Sequence, residues 1–407
     1  MSTTEFKPLA GIRVVEMTHM IMGPSCGMFL ALLGAEVIKV EPPVGDKTRY
    51  LSGMGSPFFP LFNRGKKSVQ LDTTTAAGHE ALDKLLATAD VFVDNFRDES
   101  LAKMGADPVK LRARFPRLIL ASHKGFLSGP YQERTAMDEV VQMMTGLAYM
   151  TGPTGRPLRV GSSANDIMGG LFGALSVVCA IMERQTTGKG RDLRVGLFEN
   201  CLLLVAQHMV QFELEGVNPP PMPERTFAWP VYDIFPTADG KQIFVSAVTE
   251  GQWATVCDIL GLDALKGDPR LQSRMDTINA RSWTIPIIAK VIVGRRFDEL
   301  AAKFEAKGIS FSPIAKPGDM FEHPHVMRPG GLATSRMPDG RTFRAPALPF
   351  EVDGTMMTGG GDLAAVGQHT AEVLGALGMS AKEITAAKGK RPPAKASGAR
   401  PSGDSSS

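Results

Sequence analysis

The stretch GIRVVEMTHMIMGPSCGMFLALLGAEVIKVEPP, residues 11–43, decides the fold class. GIRVVEMT (11–18) is a short β-rich run behind a glycine. SCGMFLALLG (25–34) spaces its apolar residues as a helix does and ends on Gly34, and AEVIKVEPP (35–43) is a second run stopped by prolines. Strand, helix, strand at this spacing is one βαβ unit, and its sheet is parallel. The pattern continues outward. KKSVQLD (66–72) predicts a third strand, Ala76–Leu86 a helix, DVFVDNF (90–96) a fourth strand and PRLILASHKGF (116–126) a fifth. The expected class is therefore α/β, doubly wound and Rossmann-like. No GxGxxG follows the first strand, so dinucleotide binding is not supported.

Further along, residues 137–150 read as helix. GGLFGALSVVCAIMERQTTGKG (169–190) is a second, apolar almost all round, with a stop at Gly188. Such a helix belongs in a core or against another chain. RDLRVGLFENCLLLVAQHMVQFELEG (191–216) begins as a strand and continues as a long helix. The proline-rich VNPPPMPERTFAWP (217–230) is a linker, and VYDIFPTADGKQIFVSAV (231–248) is a hairpin around a DG turn. The expected organisation is a first part of a large domain at 1–200, a linker helix and proline-rich linker at 201–225, and a smaller α+β domain at 226–318. The chain then returns to the large domain at 319–387, helical over 368–387, and ends in a disordered basic tail at 388–407.

Composition narrows the function. The chain has 407 residues, 45 basic against 42 acidic, and the last twenty carry five of the basic ones and a single acidic one. The body before them holds 40 against 41, a net charge of −1, which argues against a nucleic-acid partner. Cys26, Cys179, Cys201 and Cys257 are far apart with no CxxC, which excludes a zinc ribbon or disulfide framework. The longest apolar run, 171–182, is too short for a membrane span, and MSTTEFKPLAG has no apolar signal core. The expectation is a cytoplasmic protein with no membrane partner and no metal.

Residue chemistry alone leaves the reaction open. Asp138 (TAMDEVVQMM) and Asp166 (SSANDIMGGLFG) are acidic residues among apolar or small neighbours. Asp166, ahead of an apolar helix, suits both a helix cap and a nucleophile or base. His19 and His123 fall at strand ends, where α/β sites form, though a lone histidine there is as readily structural. FEHPHVM (321–327) reads as a surface turn. NRGKK (63–67) suits either phosphate binding or a solvated turn.

At these same blocks the chain resembles the class III CoA-transferases, the group that includes formyl-CoA and carnitine-CoA transferases and the alpha-methylacyl-CoA racemases. The resemblance runs almost end to end, through residues 8–49, FNRGKKSVQLD, ADVFVDNFRDESLAKMG, LILASHKGF, GSSANDIMGG, ERQTTGKGRDLRVGLFE, YDIFPTADGKQIFV and VGQHTAEVLGALGMS. It implies a large Rossmann-like domain built from both chain ends, a smaller middle domain, and a homodimer of interlocked subunits. It also implies CoA transfer between an acyl-CoA and a small carboxylic acid, with coenzyme A as substrate and no tightly bound cofactor. By family pattern Asp166 is the nucleophile and Asp138 an orienting or anhydride-stabilising group. The CoA contacts fall on Met20, Asn95, Phe96, Lys103, Met104 and the basic region around Lys124, with Arg49 near the site. Succinate as donor rests on family frequency. The racemase branch has His immediately before the acidic residue where this chain has Met137, and the formyl-transferring branch has Gln where this chain has Ile21. The first departure argues against racemisation, and the second against oxalate–formate exchange and for a different pair of acids. The alternatives are a racemase or isomerase of the same group and a non-catalytic CoA-binding protein.

Overall fold

The computed structural model describes residues 6–225, 227–357 and 359–390; most of the expected basic tail falls outside the described residues. The chain divides into two compact units, Met222–Met327 and the remainder, which joins the segment up to Pro221 with that from Arg328 onward. The smaller unit is thus longer at both ends than the expected 226–318.

In the larger unit, β1 (Arg13–Met17), β2 (Glu36–Glu41), β3 (Lys67–Gln70), β4 (Val91–Asp94), β5 (Ile119–Lys124) and β6 (Asp192–Gly196) form one sheet in the order 3-2-1-4-5-6. Every neighbouring pair is parallel. This is the Rossmann order, and the chain reverses direction across the sheet between β1 and β4, where α/β sites open. The strands are near-continuous apolar runs because both faces are covered. One core holds Val15, Ile38, Leu82 and Phe92, the other Val14, Val37, Val91 and Val177.

Helices of the first segment include α1 (Met22–Leu32), α2 (Ala76–Leu86), α3 (Asp98–Lys103), α4 (Asp138–Met144), α5 (Leu147–Thr151), α6 (Ala164–Thr187) and α7 (Leu197–Glu215). By length and composition α6 equals a membrane span, but its glycines give its apolarity another cause. A methyl group on Gly170 would lie 2.0 Å from Ser25 Oγ and one on Gly173 2.3 Å from His123 Nε2. Only bare backbone lets α6 approach α1 and β5 this closely.

The smaller unit has a three-stranded antiparallel sheet of β7 (Val231–Pro236), β8 (Gln242–Ala247) and β9 (Ser310–Pro313). Helices α8 (Glu250–Leu260), α9 (Arg281–Ile292) and α10 (Phe297–Ala306) pack Trp253, Ile288 and Phe304 into its core. The chain then forms an antiparallel pair, β10 (Leu332–Arg336) with β11 (Thr342–Pro346), and ends in α11 (Thr370–Ala376) and α12 (Ala381–Lys388). The return is stitched to β3: Thr370 Oγ1 accepts from the Gln70 amide at 2.9 Å, and the Ala387 carbonyl accepts from the Asp72 amide at 2.8 Å.

Several expectations need correction. The helix expected over 137–150 breaks at Thr145–Gly146, where Gly146 has φ 87°. The helix expected over 368–387 divides at Gly378, φ 79°. α6 starts at Ala164, five residues before its apolar run, because its polar first turn conceals the start from a hydrophobicity reading. Asp166 is consequently not a cap: Ser163 holds that position and Asp166 is the third residue of the helix. The NRGKK block is neither a phosphate patch nor a solvated turn. Arg64 and Lys66 are 2% and 4% exposed, and Lys67 pairs with Glu36 and Glu372 at the sheet edge.

Candidate functional site

The carboxyl ends of β1, β2 and β4 open onto a cleft of about 520 Å³, lined by His19, Met20, Lys47, Thr48, Phe96 and Met104 among others. Met20 forms its rim with a left-handed backbone, φ 63°, unusual for a side chain of its size. The conformation is held on both sides. The Met20 amide donates to Thr48 Oγ1 at 3.0 Å, while Asn95 accepts from the His19 amide at 3.1 Å and donates to its carbonyl at 2.8 Å.

Beneath this cleft lies a buried ionic network. Glu16 accepts from Lys66 Nζ at 2.7 Å, Lys39 Nζ at 3.3 Å and Thr18 Oγ1 at 2.7 Å. Lys39 also lies 3.0 Å from Asp46 and donates to the Thr18 carbonyl at 2.7 Å. Burial alone lowers the Lys39 pKa, but Glu16, Asp46 and Glu41 outweigh it and the net shift is upward. Lys66, enclosed and sharing Glu16, is pushed down to about 8, chiefly by burial. Arg49 makes a two-pronged contact with Glu41, at 2.7 and 2.6 Å, and stacks on Phe59.

A second cluster joins α4, the 157–163 loop and the first turn of α6. Asp138, 9% exposed, accepts from Gln142 Nε2 at 2.8 Å, and Gln142 Oε1 accepts from the Val160 amide at 2.9 Å. The other oxygen, Asp138 Oδ2, has no hydrogen-bond partner. Arg159 Nη2 is 3.8 Å from it, an ion-pair distance too long for a hydrogen bond. Asn165 is fully buried and fixed by Asn200 and the Leu197 carbonyl. Next to it, Asp166 has its pKa raised to about 7, first by burial and then by the Asp138 charge, with Arg159 opposing. A helix N-terminus favours a nearby anion by roughly 0.3–1 kcal/mol. The upward shift means desolvation and like-charge repulsion win over it. Asp138 is also raised, by burial, against Gln142, Arg159 and the Asn165 amide. Two neighbouring carboxylates titrating upward have a chemistry suited to proton transfer or nucleophilic attack.

Residues 9–370 match the family described as CoA-transferase family III. The chain is a member of that family. Among relatives of this family III transferase, the succinate–glutarate CoA-transferase of Agrobacterium fabrum is 30% identical over 383 residues, covering 91% of this chain and 96% of its own. The succinyl-CoA–D-citramalate CoA-transferase of Chloroflexus aurantiacus is 28% identical, covering 95% and 98%. In three dimensions the chain superposes on a CAIB/BAIF family protein from Brucella suis with TM-score 0.83 and 29% identity, over 92% of this chain and all of that one.

The residues expected from sequence fall into three places in this CoA-transferase. Met20, Phe96 and Met104 line the cleft, with Asn95 fastening its wall. Lys103 ends α3 beside Met104, exposed. Asp138 and Asp166 form the second cluster. Arg49 and Lys124 are both ion-paired: Arg49 contacts Glu41, and Lys124 donates to Asp98 at 2.7 Å and to the Phe96 carbonyl at 2.6 Å. His123 is enclosed, its pKa lowered to about 4 by burial, and is a neutral packing residue at neutral pH. Sequence reasoning missed Glu16, Lys39, Gln142 and Arg159. The cross-strand register Glu16↔Lys39, a charged pair inside two apolar strands, was the available signal for the first two.

Proposed function

We propose that the chain transfers coenzyme A from an acyl-CoA to a free carboxylic acid, with succinyl-CoA or another dicarboxylyl-CoA as donor and Asp166 as nucleophile. The observation that carries this reading is the Asp166 carboxylate, desolvated in the first turn of α6 and made more basic by its neighbour. The dicarboxylate donor is supported by the names of the Agrobacterium and Chloroflexus relatives.

An oxygen of ionised Asp166 attacks the thioester carbonyl, and the C–S bond breaks to give an acyl-aspartyl anhydride and CoA thiolate. The thiolate attacks the Asp166 carbonyl and expels the donor acid, which leaves with an oxygen from Asp166. The acceptor carboxylate attacks the resulting aspartyl-CoA thioester and releases the thiolate again. Attack of that thiolate on the acceptor carbonyl forms the new CoA ester and restores the Asp166 carboxylate. Protons balance without an external acid, since each step exchanges one anion for another. Amide donors at the start of α6 are suited to the developing oxyanions, and Gly161 leaves space there: a methyl group on it meets nothing within 4 Å. The cleft suits the CoA body, with Lys47 and Lys103 as exposed cations for its phosphates. Arg49, Lys124 and Asn95 act by holding that cleft in shape.

The same reading places the enzyme in the cytoplasm as a homodimer. Exposed Leu171, Leu175 and Met182 on α6 and Leu203, Val210 and Leu214 on α7 support an apolar interface. Incubation of pure protein with panels of acyl-CoAs and free acids, with all CoA esters read by mass spectrometry, tests the reaction. A new ester matched by loss of the donor is the expected result. Deuterium wash-in at the acyl α-carbon without exchange would instead make it a racemase.

A further inference from the structure

Beside the carboxylate pair sits a cation whose ion pairs are longer than hydrogen bonds. Arg159 has two charged neighbours, Asp138 and Glu139, and both ion pairs are 3.8 Å long. Its Nε and Nη2 donate to the Val160 and Ser162 carbonyls at 3.2 Å, which orients the guanidinium plane. Among the described residues Nη1 makes no hydrogen bond. The side chain is 24% exposed, so it is oriented by its own loop and open to solvent on one side. Arg49, by contrast, is held at hydrogen-bond distance by Glu41 and the Ala364 carbonyl, and Lys124 by Asp98 and the Phe96 carbonyl. Arg159, whose charge acts on Asp166 and whose two ion pairs are long, thus has donors to spare.

A succinyl group joined to Asp166 carries its second carboxylate three C–C bonds from the reacting carbonyl, roughly 4 Å away when extended. That carboxylate needs a cation at that range, since an unpaired anion beside Asp138 and Glu139 is repelled. A guanidinium with two free N–H groups in one plane matches it. We propose that Arg159 receives the distal carboxylate of a dicarboxylic substrate and makes this enzyme distinguish dicarboxylic from monocarboxylic acids. The inference rests on the CoA-transfer reading above and adds the residue that selects the acid. Arg159 also moderates the Asp166 charge, so its replacement slows transfer to every acid. The specific signature is the ratio between acids.

The test compares succinate and butyrate, equal in chain length, as acceptors from a common donor in the wild type, Arg159→Gln and Arg159→Lys. In Arg159→Gln the succinate-to-butyrate ratio of kcat/KM should fall roughly 30-fold, the size expected for one charge-assisted contact. Arg159→Lys, which keeps the charge without the fork, should lie between. A ratio unchanged in both variants, with transfer still measurable, overturns the assignment and leaves the CoA-transfer reading standing. Wild-type protein that transfers CoA to neither acid nor to any acid of a wider panel removes the reading beneath it. If Arg159→Gln proves inactive or misfolded, the ratio in Arg159→Lys decides.

Discussion

Under the cleft, Glu16 is shared by Lys39, Lys66 and Thr18, Arg49 is clamped to Glu41, and the charged groups are matched at hydrogen-bond distance. At the start of α6, Asp138 Oδ2 has no hydrogen bond, Arg159 stands 3.8 Å off, and Asp166 is pushed to about 7. Both regions bury carboxylates in the same α/β unit. The difference is whether the sequence supplies enough donors. Where it does, charge holds a loop in place. Where it does not, charge is left reactive.

Four experiments sharpen or break this contrast. Asp166→Ala should lower transfer roughly 1,000-fold or more in a steady-state assay, while circular dichroism shows a native fold. Retained turnover would place the chemistry elsewhere. Lys66→Met removes one partner from the buried ionic network around Glu16 and should cost about 3–5 kcal/mol in denaturant unfolding. A loss under 1 kcal/mol would show that the network is not structural. Gly173→Ala drives a methyl into His123 and should cost about 1–3 kcal/mol by the same measurement.

The smallest effect is in pH dependence. Asp166 must be ionised to attack, so kcat/KM should rise with pH through about 7 and then level. Its stability signature has the opposite sign. The folded state holds the Asp166 proton up to about 7 and the unfolded state releases it near 3.8, so between those values the folded state binds more protons and stability falls as pH rises. Asp166→Asn should remove that slope and raise the melting temperature at pH 8 by about 2 °C. A slope unchanged in the variant would show that burial of Asp166 is not the cause.

Much of the scaffold was legible in the chain. Residues 11–43 carry the βαβ unit because β-branched runs and helical spacing are local signals, and the helix Ala76–Leu86 was placed to the residue. The start of α6 was obscured by its polar first turn, and α9 by Pro286 inside it. The pairing of chain ends was reached through resemblance, because contacts such as Gln70 with Thr370 have no local signature. At the site, Asp138 and Asp166 were legible as acids in apolar surroundings. Arg49 and Lys124 were legible as cations but not as occupied ones, since occupancy depends on Glu41 and Asp98 reaching them in space.

The central claim, that Asp166 bonds covalently to substrate, is tested most directly with an acceptor acid labelled in both carboxylate oxygens with ¹⁸O. During turnover with unlabelled acyl-CoA, each cycle leaves one acceptor oxygen on the Asp166 carboxylate. Peptide mass spectrometry should therefore find heavy oxygen in the peptide containing Asp166, localised to that side chain and absent without acyl-CoA. Full turnover with no label at Asp166 would contradict the account.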